Sequence, residues 1–69
     1  MTGPVIRVRL DELLKERGMT LTELSRRVEI TVVNLSILKN GHAKAIRFST
    51  LERLCAALGC QPGDLLTYD

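Results

Sequence analysis

The sequence is poor in aromatics: Phe48 and Tyr68 are the only two in 69 residues, and there is no tryptophan. A core must therefore come from Leu, Ile and Val. Cysteine is scarce as well. Cys55 and Cys60 lie five positions apart, and with no export signal ahead of them a disulfide is not expected. Cys55 falls on the apolar stripe of a helix and reads as a small core residue. The single histidine, His42, leaves two thiols short of the four ligands a structural zinc takes. No metal or cofactor is expected. No apolar run approaches the roughly 20 residues that span a bilayer. Met1 is followed by Thr-Gly-Pro rather than by a secretory leader. The expected location is cytoplasmic, without membrane contact. So short a chain has little room for both a scaffold and an enclosed active site, and no nucleophile–base pair stands at a supporting spacing. A binding module, not an enzyme, is expected.

What is present centres on residues 20–41. Thr20 is placed to cap a helix over Leu21–Val28, with Glu23 positioned to complete a capping box. Leu21, Leu24 and Val28 form its apolar stripe. Ser25 is small where a second helix must approach. Thr31 caps that second helix, Val32–Lys39, and Gly41 supplies a left-handed stop after Asn40. The short link forces a steep crossing, as in a helix-turn-helix. Leu35 and Leu38 are expected inward. Val32, Val33, Ser36 and Ile37 point out, and three apolar side chains in that group suggest a contact surface.

Around this unit, Val5–Arg9 alternates like a short strand. A strand needs a partner, either a second copy of itself or the C-terminal segment of the same chain. Leu10–Arg17 forms the first helix and Gly18 ends it. Met19 joins the core. After Gly41 a basic connector runs to Phe48, expected as a core anchor. Ser49 and Glu52 suggest a second capping box ahead of a helix lined by Leu51, Leu54, Cys55 and Leu58 and stopped by Gly59. Pro62 opens a last helical turn, followed by Leu65, Leu66 and Tyr68. No linker or repeat divides the chain, so residues 1–69 are expected to form one domain, with 1–9 as an extended arm.

The formal charge is only +2, but it is unevenly spread. Residues 26–53 hold six cations against two carboxylates, and the remainder holds four against six. A basic patch around the second helix would steer the domain toward phosphate.

The stretches Thr20–Ser25, Ile30–Thr31, Leu35–Gly41 and Ser49–Leu66 together resemble the phage repressor and Cro family of helix-turn-helix domains, the XRE family. The resemblance covers about residues 10 to 66. It implies an all-α, five-helix lambda-repressor-like fold with a short N-terminal strand. It further implies a small stand-alone regulator, repressor-like, that binds a palindromic operator in double-stranded DNA as a homodimer. The resemblance places Val32, Val33, Ser36 and Ile37 toward the major groove. It places Thr22, Thr31, Asn34, Asn40 and Lys44 near phosphates, and Arg47 at the minor groove. Two departures stand out. The turn that often carries glycine carries Glu29, and the reading face is mainly apolar. The alternative use of the same face is a protein-interaction module, antitoxin- or adaptor-like, with a protein partner.

Overall fold

The computed structural model describes residues 5–69; residues 1–4 of the expected arm lie outside the described residues. The element order is β1 (Ile6–Val8), α1 (Leu10–Arg17), α2 (Leu21–Val28), α3 (Val32–Lys39), α4 (Phe48–Leu58), α5 (Pro62–Leu65) and β2 (Leu66–Tyr68). The five expected helices are all present, with α1, α2 and α3 at the expected bounds.

Leucine builds the core. Leu10, Leu24, Leu35, Leu54 and Leu65 are fully buried, one from each helix. Burying a leucine side chain contributes about 1.5–3 kcal/mol, so each helix is held by its own anchor into a shared interior. Leu13, Leu14, Val28, Leu38, Leu51 and Leu58 fill the space between them, and Met19 packs against the cluster. Arg17 ties the ends of two helices together. Its Nε donates to the carbonyl of Leu58 at 2.8 Å, placing a cation at the negative end of α4.

Helix ends follow local chemistry. The Thr20 hydroxyl accepts from the Glu23 N–H at 3.1 Å, and Thr31 does the same for Asn34 at 3.1 Å. Three helices stop at left-handed glycines, Gly18, Gly41 and Gly59. At each, the next residue's N–H reaches back five positions: Met19 to Leu14, His42 to Ile37 and Cys60 to Cys55. Asp64 accepts from the N–H of Gln61 at the start of α5.

The structure corrects four expectations. Glu23 does not close its capping box; its carboxylate pairs with Arg27 at 2.8 Å, one turn on. Phe48 is no core anchor, being 80% exposed. It is the first residue of α4, and helical side chains lean toward the N-terminus, so it projects past the end of the core. Ala43 and Ile46 hold the connector down instead. Ser49 does not cap α4, because it lies inside the helix, which begins at Phe48 after Arg47, whose side chain makes no capping bond. Cys55 is only half-buried, and Cys60 is the cysteine in the core.

The N-terminal strand finds its partner in the same chain. β1 and β2 pair antiparallel, with Ile6 opposite Tyr68, Arg7 opposite Thr67 and Val8 opposite Leu66. An exposed Arg7–Asp69 pair at 2.9 Å closes the open end. Val8 and Leu66 rest on the core, while Ile6 and Tyr68 extend beyond it.

Candidate nucleic-acid interface

α3 presents the surface. Its N-terminus is aimed by the turn after α2, where Glu29 takes a left-handed backbone at φ 57°. This conformation costs a side-chain-bearing residue about 1–2 kcal/mol. The turn is bridged by the Ser25 hydroxyl, which donates to the Ile30 carbonyl.

With Leu35 and Leu38 turned into the core, the opposite face of α3 carries Val33, Ser36, Ile37 and Asn40, with Val32 and Asn34 on its flanks. Val33 is the most open of the apolar group at 68% exposed; Val32 and Ile37 are exposed as well, and Ser36 is half-buried. The connector runs beside α3 and leaves a groove of about 540 Å³ whose lining includes Thr31, Asn34, Ile37, Ala45 and Arg47. Arg47 is thereby brought to the same depression as three α3-side residues named from the sequence. Lys44 lines the neighbouring depression, next to β1. Thr22 stands apart on the exposed face of α2, and Asn40 lies exposed at the end of α3.

Ion pairing sharpens the charge pattern. Arg7, Arg9, Lys15 and Arg17, all outside residues 26–53, each have a carboxylate partner. Glu12, bonded to Arg9, holds that guanidinium's pKa above its ordinary value. Among the described residues, Arg26, Lys44, Arg47 and Arg53 have none within 4.0 Å, and all four fall in residues 26–53. Arg26 was not singled out from the sequence as a contact residue. It sits one turn after Thr22 on the exposed face of α2, and the i, i+4 spacing of the two was the available signal.

An angled pair of helices, capped by threonines and flanked by free cations, defines a DNA-binding helix-turn-helix domain. The chain belongs to the Cro/C1-type HTH DNA-binding domain family, which it matches over residues 9–69. It is 64% identical over 61 residues to the uncharacterized HTH-type transcriptional regulator YozG of Bacillus subtilis (strain 168), covering 88% of this chain and 73% of that protein. The fold matches a crystal structure of the transcriptional regulator VanUg with a TM-score of 0.77 at 23% identity, over 100% of this chain and 91% of the other. Among the described residues, no helix is long and apolar enough to cross a membrane.

Proposed function

We propose that residues 1–69 work as one helix-turn-helix unit that binds a palindromic operator as a homodimer, reads the major groove with α3 and represses transcription. The observation that carries this is the groove that joins the exposed face of α3 to Arg47, a cation with no carboxylate partner. Val32, Val33 and Ile37 touch thymine methyl groups, and Ser36 with Asn34 supplies hydrogen bonds to base edges. Thr22, Thr31, Asn34, Asn40 and Lys44 hold the phosphates and set register, while Arg47 enters the minor groove between half-sites. Released counterions supply most of the affinity.

A second copy pairs along the small sheet. The bonds between Val5 and Asp69 leave the N–H and C=O of Ile6 and Val8 facing away from β2. Such an edge, beside exposed Ile6 and Tyr68, is a template for another strand. On a palindromic site the two reading helices of such a dimer must serve half-sites about 34 Å apart. Sedimentation should show a dimer that Ile6→Asp converts to monomer; an unchanged mass would move the interface elsewhere.

The reading is tested by selecting from random duplexes at two salt concentrations. Selected sites should be two-fold symmetric, and affinity should fall steeply with salt. Arg47→Ala should make the salt slope shallower by about one unit. The exposed Val33 also supports the second reading, in which α3 docks a protein partner. That contact would be nearly insensitive to salt and would show no selected sequence.

A further inference from the structure

The two cysteines are brought together by a backbone device rather than by chance proximity. α4 ends at left-handed Gly59, and the N–H of Cys60 bonds the carbonyl of Cys55 at 3.1 Å. A contact between the side chains of the two bonded residues commonly accompanies this way of ending a helix. The other two such ends join Leu14 to Met19 and Ile37 to His42. Only after α4 are both members cysteine, and both side chains face the same groove. Both are free.

Access is one-sided. Cys60 is buried to 9% exposure, whereas Cys55 is half-buried. Both line a groove of about 480 Å³ that opens beside Phe48 and Pro62. That groove admits a molecule the size of a hydroperoxide to the sulfur of Cys55.

We infer that Cys55 and Cys60 form a redox-active dithiol that hydroperoxides close to an intrachain disulfide. The Cys55 thiolate attacks the O–O bond, which breaks; Cys55 becomes a sulfenic acid and the peroxide leaves as water. The Cys60 sulfur then attacks the Cys55 sulfur and expels the hydroxyl as a second water. Two thiols and one hydrogen peroxide thus give one disulfide and two waters, with sulfur oxidised and peroxide reduced. Burial and the neighbouring Cys55 push the Cys60 thiol up, keeping it protonated and slow toward peroxide. The order of events follows: Cys55 is oxidised first and Cys60 resolves it. Reduction by a small dithiol reverses the change. The bridge would lock the turn between α4 and α5 and is independent of how α3 is used.

The test uses the full reduced chain and dilute hydrogen peroxide, with maleimide labelling and intact mass as readout. The expected product is monomeric on a non-reducing gel, has lost two hydrogen atoms, resists maleimide at both positions and regains labelling after dithiothreitol. Cys60→Ser should instead accumulate a dimedone-reactive Cys55, and Cys55→Ser should leave Cys60 unmodified while folded. Disulfide-linked dimers as the main product, or direct addition of oxygens without loss of hydrogen, would overturn the inference. So would equal peroxide reactivity of the two single variants.

Discussion

The turn after α2 and the turn after α4 have nearly the same backbone at their pivot and are closed by different means. Glu29 and Gly59 both sit near φ 60°, at 57° and 62°. After α4 the pivot is glycine, and a backbone bond from Cys60 to Cys55 finishes the turn. After α2 the pivot carries a side chain, and no corresponding bond from Ile30 to Ser25 closes it; the Ser25 hydroxyl bridges to the Ile30 carbonyl instead. One turn is closed by a backbone bond, with Arg17 added from outside on the Leu58 carbonyl. The other holds strain and depends on two side chains, Ser25 and the Thr31 cap that follows. The strained turn is the one that aims α3. Precision of aim there rests on side-chain chemistry, so it is open to single substitutions.

The largest expected effect comes from giving the relaxed turn the burden of the strained one. Gly59→Glu should lower stability by about 1–2 kcal/mol, because an added Cβ meets nothing within 4 Å and only the backbone term remains. Thermal unfolding would register that as a fall of roughly 4–8 °C per kcal/mol. Thr31→Ala removes the cap that starts α3 and should cost about 1 kcal/mol by urea unfolding. Ser25→Ala takes away the bridge and should cost roughly 0.5–1.5 kcal/mol. If the bridge also sets the aim of α3, this variant loses more DNA affinity than Gly59→Glu does, measured at matched fractions folded. Glu29→Gly should raise the melting temperature, gaining about 0.5–1 kcal/mol once the looser unfolded chain is set against the relieved strain. A clear fall would mean that Glu29 makes a contact worth more than its backbone costs. Phe48→Ser, at a side chain outside the core, should stay within about 0.5 kcal/mol of the parent.

The same contrast explains what could be read in advance. α1, α2 and α3 were legible because their apolar stripes and their threonine or glycine ends are local signals, each acting within one turn of helix. Left-handed strain at Glu29 was legible only as a question, since a residue type cannot report its own φ. The misplacement of Phe48 has a different origin. Scarcity of aromatics made it look like an anchor, but it occupies the first turn of α4, where a side chain leans off the end of the core. Ser49 and Glu52 carry the spacing of a capping box inside a first turn that had already begun. β2 is only three residues long and offers no alternation to recognise; its pairing with β1 joins opposite ends of the chain, as between Ile6 and Tyr68. The spacing of Cys55 and Cys60 was visible, but Cys55 read as a core residue alone, because the turn that relates the two depends on the way α4 ends.

Of the candidate interface, the outward set on α3 was readable from periodicity once Leu35 and Leu38 were assigned inward. The approach of Arg47 to α3 was not, because it depends on Ala43 and Ile46 pulling the connector onto the core.

The central claim is that α3, aimed by the strained turn, is the element that enters DNA. Titrating the isotope-labelled protein with a duplex obtained by selection, and following backbone amides, tests it most directly. Amides from Val32 to Arg47 should move most and those of Ile6–Val8 least. Large shifts confined to Phe48–Pro62 or to the small sheet, with α3 unmoved, would contradict it.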